Sequence, residues 1–250
     1  MRVVATYNIK GGVGKTSAAV NLGYLAAQEG LRTLIWDLDP QGSATYLFRI
    51  KPKVKGGGKA LVAGRRTLDE AIKETDFERL DLMPADFSYR NLDLDLDSTK
   101  RPTDRLRRLV APLEDDYELI ILDCPPSASL ASENVVRASN LLLVPLIPAV
   151  LSLRTFDQLT DFVDGLPGRT PRVLAFLSMV DRRKKAHREL AEQLPWERKS
   201  VVPEVIPNLS VIEQMARRRE PVPVFAPRSA AAVAYEDLWN RLRSCLDDAG

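Results

Sequence analysis

A glycine-rich run near the start of the chain has the residue types and spacing of a phosphate-binding loop. It spans residues 10–17 and reads Lys-Gly-Gly-Val-Gly-Lys-Thr-Ser. An apolar stretch over residues 3–7 predicts a buried strand before it, and apolar residues at helical spacing follow over residues 17–28. The N–H groups of such a turn point inward, and the helix dipole adds partial positive charge. We therefore expect an anion site in which Lys15 reaches phosphate oxygens and the hydroxyl of Thr16 ligates Mg²⁺.

The glycines of this run have a specific arrangement. Gly11, Gly12 and Gly14 allow backbone angles and a close ligand approach that a side chain would block. The ordinary phosphate-loop pattern has another glycine five residues before Gly14, and this chain has Ile9 there. An additional lysine, Lys10, stands beside it. The run therefore departs from the ordinary pattern at its first glycine and carries an extra lysine beside that position.

With this departure, the run resembles the deviant Walker A motif of the ParA/MinD family of ATPases. The resemblance implies that Lys15 binds the phosphates of ATP or ADP in its own subunit. It also implies that Lys10 reaches across a homodimer interface to the nucleotide of the partner. The loop residues expected to bind nucleotide are Gly11, Gly12, Val13, Gly14, Lys15, Thr16 and Ser17.

Two acidic segments fall where this family has its switch regions. An apolar strand candidate over residues 33–36 ends at Asp37, with Asp39 close behind, and another over residues 117–122 ends at Asp123. The resemblance implies that Asp39 orients the attacking water, that Asp37 supports it, and that Asp123 contacts hydrated Mg²⁺. The expected catalytic residues are Lys10, Lys15, Asp37 and Asp39. The expected Mg²⁺-binding residues are Thr16, Asp39 and Asp123.

The carboxyl half extends the resemblance to the base of the nucleotide. Residues 205–208, Val-Ile-Pro-Asn, are similar to the family segment that packs on adenine. This similarity implies that Pro207 and Asn208 contact the base. The family often has asparagine or threonine at a second contact position, which falls near Ser178 here, and the sequence leaves open whether this serine contacts the base.

Strand and helix patterns alternate along the chain and predict its fold class. The apolar runs end at glycine, proline or aspartate, and helical spacing lies between them. Such alternation favours parallel strands that are buried on both faces. We expect residues 1–250 to form a single α/β domain with three α/β/α layers: a mostly parallel, twisted central sheet and helices on both faces.

The pattern also predicts particular elements. Helices are expected over residues 98–110, 127–138, 181–194 and 229–246, and a strand over residues 141–144 is expected to stop at Pro145.

Two segments interrupt the alternation of strand and helix patterns. Residues 51–66 hold six basic side chains, no acidic one and three consecutive glycines, which predicts a mobile surface loop. The alternative interpretation is that this segment contacts the phosphate backbone of a nucleic acid. Residues 91–97 alternate leucine with aspartate, and we expect a loop or a frayed helix end there.

Composition narrows the function classes. The net charge is only +2, so the chain is not a polycation, and its two cysteines, Cys124 and Cys245, have no disulfide or metal-ligand spacing. The amino terminus lacks the apolar segment of a signal peptide, and prolines interrupt the longest apolar stretch, residues 141–153. These features predict a cytoplasmic protein without a membrane partner.

Basic residues concentrate in the carboxyl half, although the whole chain is nearly neutral. Residues 182–199 hold seven Lys or Arg and three Asp or Glu. Such a cluster is typical of sequence-independent binding to the DNA backbone, and the resemblance implies the same partner, double-stranded DNA, and a nucleoid location. The candidate DNA-binding residues are Arg182, Arg183, Lys184, Lys185, Arg198, Lys199, Arg217, Arg218 and Arg219.

The resemblance implies an ATP-dependent switch that partitions DNA or positions another cargo. Its hydrolysis of ATP is expected to be slow and to be stimulated by a ParB-like protein or a cargo adaptor.

Three alternatives remain open. A MinD-like membrane ATPase would need a basic amphipathic terminal helix, and Asp247 and Asp248 argue against one. A redox enzyme of the nitrogenase iron-protein type would need a pair of cluster cysteines, which Cys124 and Cys245 do not form by spacing. The third alternative is a nucleotide-dependent scaffold that does not hydrolyse ATP, against which Asp39 and Asp123 argue.

Overall fold

A computed structural model describes residues 1–247, and within them eight strands form one sheet. The strands are β1 (Arg2–Thr6), β2 (Thr33–Asp37), β3 (Lys73–Glu74), β4 (Leu80–Met83), β5 (Leu119–Asp123), β6 (Leu141–Leu146), β7 (Arg172–Val180) and β8 (Val201–Pro207). Their spatial order is β3-β4-β2-β5-β1-β6-β7-β8. The short edge strand β3 is antiparallel to β4, and every other neighbouring pair is parallel.

Helices cover both faces of this sheet. They are α1 (Lys15–Gln28), α2 (Ser43–Leu47), α3 (Gly57–Val62), α4 (Leu92–Asp97), α5 (Arg105–Val110), α6 (Leu130–Ala138), α7 (Val150–Asp164), α8 (Lys185–Glu197), α9 (Ser210–Arg218), α10 (Val222–Phe225) and α11 (Ala230–Asp247). Two 3₁₀ turns lie at Phe87–Asn91 and Ala111–Leu113.

The hydrophobic core has two layers, because successive strand residues point to opposite faces. On β5, Ile120 and Leu122 pack into a core that is covered by α3 to α8. Ile121 between them packs into a second core, which is covered by α1, α2 and α9 to α11. This arrangement confirms the predicted three-layer α/β/α fold with a mostly parallel sheet.

The strand β6 does not stop at Pro145 as predicted, and runs on to Leu146. The pairing of β1 with β6 ends at Leu143. Pro145, which has no N–H to donate, therefore lies beyond the part of β6 that is hydrogen-bonded to β1. The carbonyl of Pro145 is used instead by the side chain of Asn8, whose Nδ2 donates to it at 2.8 Å.

Three predicted helices begin later than the sequence pattern suggested. The first starts at Arg105 rather than at residue 98, because Pro102 disfavours helical backbone in the residue before it. The second starts at Leu130 rather than at residue 127, because Ser129 and Ser132 form a capping box there. The third starts at Lys185 rather than at residue 181.

The prediction of a mobile loop over residues 51–66 was wrong in part, and residues 91–97, expected to be a loop or a frayed helix end, are mostly helical. Residues 57–62 form α3, which buries Leu61 and Val62, and residues 92–97 form α4, which buries Leu92 and Leu96. The glycines of the first segment permit close packing, since a Cβ at Gly58 would lie 2.9 Å from the ring of Tyr89. Both segments therefore contribute to the core that covers one face of the sheet.

The carboxyl-terminal helix α11 runs to Asp247, and residues 248–250, with Asp248 of the predicted acidic terminus, lie outside the described residues. Of the helices within residues 1–247, none has both the length and the apolar character needed to cross a membrane.

Candidate functional site

The sheet topology brings the predicted phosphate loop and the predicted acidic residues to one edge. Strands β2, β5 and β1 are neighbours, and each ends at the same side because they are parallel. Asp123 at the end of β5 is in register with Thr6 on one side and with Asp37 on the other. The loop that follows β1 therefore lies beside both carboxylates, at the carboxyl edge where α/β proteins bind ligands.

The loop requires glycine at Gly14 for two reasons. This residue caps α1 with a left-handed backbone, at φ 96°. A Cβ built on it would also lie 2.9 Å from Oγ of Ser178 on β7. Gly12 has a positive φ of 69° as well, but a Cβ there would meet no atom within 4 Å. The loop is thus a turn with left-handed glycines that packs closely against β7 at Gly14.

A buried asparagine that the sequence analysis missed anchors the start of the loop. Oδ1 of Asn8 accepts a hydrogen bond from the backbone N–H of Lys10 at 2.9 Å, while its Nδ2 donates to Pro145. Asn8 is only 3% exposed. Buried polar side chains are normally hydrogen-bonded. An asparagine two residues after an apolar strand was therefore the feature of the sequence that could have indicated this anchor.

The two lysines of the loop occupy opposite environments. The side chain of Lys10 is exposed, whereas Lys15 is only 6% exposed. Nζ of Lys15 donates to the carbonyl of Lys10 at 3.2 Å and forms no ion pair with any of residues 1–247. Burial lowers the pKa of Lys15, and the nearby carboxylates of Asp123 and Asp39 act in the opposite direction. A buried ammonium group without a counterion is well suited to bind an anion.

Asp123 is fully buried, and one of its carboxylate oxygens has no partner. Oδ1 accepts a hydrogen bond from Oγ1 of Thr6 at 3.3 Å, and Oδ2 makes no hydrogen bond within the described chain. Burial raises the pKa of Asp123 well above its usual value, and repulsion by Asp37 raises it further. The hydroxyl of Thr16 and the ammonium of Lys15 lower this pKa. A cation or a water that binds at Oδ2 would satisfy the orphaned oxygen.

Asp37 is also buried, but its carboxylate is already hydrogen-bonded. Its Oδ2 accepts bonds from the backbone N–H and the hydroxyl of Thr45, at 2.8 and 2.7 Å. Its Oδ1 accepts from the N–H of Asp39 at 3.3 Å. Burial raises the pKa of Asp37 to about 6, against the opposing effect of these bonds. Asp37 thereby ties the segment that carries Asp39 to the end of β2.

Asp39 lies half-buried at the edge of the site. Its Oδ1 accepts a hydrogen bond from the N–H of Gln41 at 2.9 Å, which shapes the turn before α2. Among residues 1–247, no group of three or more His, Cys, Asp or Glu converges closely enough to hold a metal ion. A Mg²⁺ ion at this edge would therefore need ligands such as water and phosphate oxygens, as Mg²⁺ commonly has.

A cavity of about 620 Å³ lies at the carboxyl ends of β7 and β8. Pro207 and Asn208 both line it, and the N–H of Asn208 donates to the carbonyl of Val180 at 3.0 Å. Ser178 does not line it, since its side chain is buried beneath Gly14. The structure thus brings the two predicted base contacts together at one cavity and places the serine under the phosphate loop.

Comparison with known proteins agrees with this geometry. A family model described as an AAA domain matches residues 1–175. The sporulation initiation inhibitor protein Soj of Bacillus subtilis is 31% identical over 243 residues, which cover 95% of this chain and 96% of Soj. The chain belongs to the ParA/MinD family of P-loop ATPases. The chromosome partitioning protein ParA of Myxococcus xanthus is 30% identical and is matched over 96% of this chain and 87% of that protein.

Solved structures of other proteins have the same fold as this ParA/MinD family member. A cobyrinic acid a,c-diamide synthase from Mycobacterium smegmatis, with a bound ATP analogue and magnesium, superposes with a TM-score of 0.83 at 25% identity. The superposition covers 100% of this chain and 97% of that one. The cell division ATPase MinD of Pyrococcus furiosus superposes with a TM-score of 0.79 at 21% identity, over 98% of this chain and 99% of that one.

The structure separates the predicted DNA-binding residues into distinct places. Arg182 to Lys185 follow the carboxyl end of β7, and Arg217 to Arg219 lie at the end of α9, which contacts α2 near the carboxyl end of β2. Arg198 and Lys199 precede β8 and therefore lie at the opposite edge of the sheet. The first group is thus on the same edge as the phosphate loop, and the third is at the opposite edge. The second group lies away from the phosphate-loop edge, since Arg49 bonds both the carbonyl of Arg218, at 3.3 Å, and Asp76, at 2.7 Å, and Asp76 precedes the start of β4.

Several of these basic side chains are already engaged. Arg183 pairs with Asp181 at 2.9 Å, and Arg198 pairs with Asp157 on α7. Arg219 donates to the carbonyl of Tyr46 at 2.8 Å and lies over its ring. The exposed residues that form no ion pair within residues 1–247 include Arg182, Lys184, Lys199, Arg217 and Arg218.

We expect Gly14→Ala to lower the free energy of unfolding by about 1–3 kcal/mol, because it combines backbone strain with a collision at Ser178. Gly12→Ala should cost only about 1 kcal/mol, since only the strain applies there. Urea denaturation of both variants measures the difference. Adding Ser178→Ala to Gly14→Ala should recover part of the loss. Equal losses in the two single variants would contradict the support that β7 gives to the loop.

Proposed function

We propose that this chain is an ATP-dependent switch, which dimerises and binds DNA non-specifically with ATP and is released when the ATP is hydrolysed. The observation that carries the proposal is the pair of lysines in one loop, with Lys15 buried and Lys10 exposed. One lysine is placed to bind an anion within its own subunit, and the other is free to act on a second molecule. By similarity to Soj and ParA, the switch serves partition of DNA or positioning of another cargo.

The loop and its neighbours fit a nucleotide with Mg²⁺. The start of α1 and the ammonium of Lys15, which lies beside the loop at the carbonyl of Lys10, would bind the phosphates. Thr16 and the unpartnered Oδ2 of Asp123 are the groups that would face hydrated Mg²⁺. The ion would neutralise charge that develops on the phosphate oxygens. The cavity at Pro207 and Asn208 would receive the base, and its partly apolar wall suits a flat ring.

Hydrolysis requires a positioned water and a neutralised transition state. Asp39 is half-buried and lies two residues beyond Asp37, whose bonds to Thr45 hold this segment in place. It is the candidate to orient the attacking water. Lys10 would supply positive charge in trans, as an arginine finger does, so that hydrolysis depends on the dimer.

The DNA-binding surface is proposed to combine the basic group at the carboxyl end of β7 with the basic group at the end of α9. Arg182 and Lys184 after β7, and Arg217 and Arg218 at the end of α9, are exposed and form no ion pair in the described chain. Dimerisation would double this charge and convert weak contacts into stable binding. Lys199 is at the other edge and is proposed to contribute little.

We expect Arg217→Glu with Arg218→Glu to weaken DNA binding at least about tenfold and to leave ATP-dependent dimerisation intact. Arg219 is left unchanged, since its contacts with Tyr46 make it part of the fold. Fluorescence anisotropy with a duplex at several salt concentrations measures both the affinity and its salt slope, which should fall by about two per subunit.

Lys199→Glu is the matched control, because it changes a charge of the same kind at the opposite edge of the sheet. Its affinity for the duplex should stay near that of the parent protein. An equal loss in Lys199→Glu and in the double variant would contradict the placement of the DNA surface.

Two alternatives are less well supported by the structure. Cys124 and Cys245 are both buried, and they lie in the two different core layers on opposite faces of the sheet, which does not suit a shared cluster. The helix α11 buries Leu238, Leu242 and Leu246 in the core. Up to Asp247 these leucines are thus used inside the protein rather than offered to a lipid surface, although Val233 is exposed.

A further inference from the structure

A second basic site lies away from the phosphate loop. A cavity of about 620 Å³ opens between the end of α3 and the segment that leads into α5. Four basic side chains line it, those of Lys100, Arg101, Arg105 and Arg108, and none of the lining residues within 1–247 is acidic. Its wall at α3 belongs to the glycine-containing basic segment of residues 51–66, to which the proposed switch assigns no role.

Arg105 is the most informative of these residues. Its Nε is buried and has no hydrogen-bond partner, and its guanidinium forms no ion pair within residues 1–247. A buried charged donor without a partner costs stability unless a ligand or an ion satisfies it. Lys100 and Arg101 are exposed at the cavity and also form no ion pair in the described chain.

The position of Arg105 is built into the fold. Oδ1 of the fully buried Asn134 on α6 accepts hydrogen bonds from the N–H groups of Arg105 and Leu106, at 2.9 and 3.2 Å. On the other side, a Cβ at Gly64 would lie 2.8 Å from Nη2 of Arg105, and this glycine has a φ of +71°. The chain thus fixes the backbone of the arginine and leaves room for its guanidinium beside a glycine.

The charges at this cavity are only partly compensated. Asp104, which precedes α5, binds Arg107 at 2.7 Å and Arg108 at 3.3 Å. Lys100, Arg101 and Arg105 then remain as three positive charges that converge without a counterion among the described residues. Several converging cations suit a ligand with several adjacent negative charges.

We propose that this cavity binds the phosphate chain of a small phosphorylated molecule, of the nucleoside di- or triphosphate class. Its volume is within the range of small-ligand sites, and a DNA duplex is too wide to enter a space of this size. The site is distinct from the nucleotide site at β1, since α3 and α5 cover one face of the sheet and α1 covers the other. Binding here would offer a way to regulate the switch by a second nucleotide.

The test uses inorganic pyrophosphate and isothermal titration calorimetry on the full chain carrying Lys15→Ala, which removes the main cation of the phosphate loop. We expect this protein still to bind pyrophosphate. Adding Arg105→Gln, or separately Arg101→Gln, should weaken that binding at least about tenfold, because each removes a charge from the cavity. Adding Arg107→Gln should change little, since Arg107 lies on the same helix but does not line the cavity.

Loss of affinity in the Arg105 and Arg101 variants, with the Arg107 variant unchanged, would support the proposal. Equal affinities in all three variants, or no pyrophosphate binding by the Lys15→Ala protein, would overturn it. Arg101 is exposed, so its variant keeps the test valid if Arg105→Gln disturbs folding. If the phosphate loop retains pyrophosphate in this background, the part of the signal that depends on Arg105 still identifies the second site.

Discussion

Replacing Lys15 by alanine is expected to weaken ATP binding by about 100-fold or more, since it removes charge-assisted hydrogen bonds to phosphate from a buried site. The fold should persist, because the variant removes a buried ammonium group that has no counterion in the described chain. Equilibrium binding of a fluorescent ATP analogue measures the effect, and urea denaturation reports on the fold.

Lys10→Ala is the matched control for this prediction. It changes the same residue type in the same loop, but at an exposed position. We expect it to bind ATP nearly as well as the parent protein while losing most of its hydrolysis, because Lys10 is proposed to act across the dimer. If both variants lost ATP binding equally, the division of roles between the two lysines would be wrong.

Replacing Asp39 by alanine should lower the rate of ATP hydrolysis by about 10²–10³-fold and leave ATP binding intact. The carboxylate is proposed to orient the attacking water, and it does not hold the nucleotide. With hydrolysis blocked, the protein should accumulate as an ATP-bound dimer that is retained on DNA. Light scattering with ATP or ADP measures the fraction of dimer. A DNA-retention assay with the same nucleotides measures how much of the protein stays bound to DNA.

Asp39→Asn distinguishes a role of Asp39 in ATP hydrolysis from a role in shaping the turn before α2. An asparagine can still accept the hydrogen bond that Asp39 takes from the N–H of Gln41. If Asp39 only shaped the turn, this variant would hydrolyse ATP normally, and we expect it to be as slow as Asp39→Ala. An Asp39→Ala protein that stayed monomeric with ATP would refute the proposed switch.

Local sequence was most informative where one residue type is required by its own backbone or charge. Gly14 has to adopt a left-handed backbone, and aspartates that directly follow buried strands lie at the carboxyl edge of a parallel sheet. The phosphate loop and the position of these aspartates at strand ends were therefore predictable. The start of α5 was less so, since residues 98–110 were interpreted as one helix with a basic face, and Pro102 was not taken as a break in it.

Long-range contacts decided the features that no local pattern records. Asn8 anchors the loop through Pro145, which is 137 positions away in the chain. Arg198 was grouped with Arg182 by their closeness in sequence, but the length of α8 places them at opposite edges of the sheet. The segment over residues 51–66 read as a loop, because its glycines predict flexibility, whereas Gly58 is needed for close packing against Tyr89.

The sequence by itself determined the chemistry of the phosphate loop and the three-layer fold, since both depend on residue types at short spacing. The tertiary structure decided which charges are available. Lys15 is buried and Lys10 exposed within one loop, and Asp37 is hydrogen-bonded while Oδ2 of Asp123 is free of partners in the described chain. The physical reason is that burial and pairing depend on neighbours from other strands and helices, and these set the free energy of each charge.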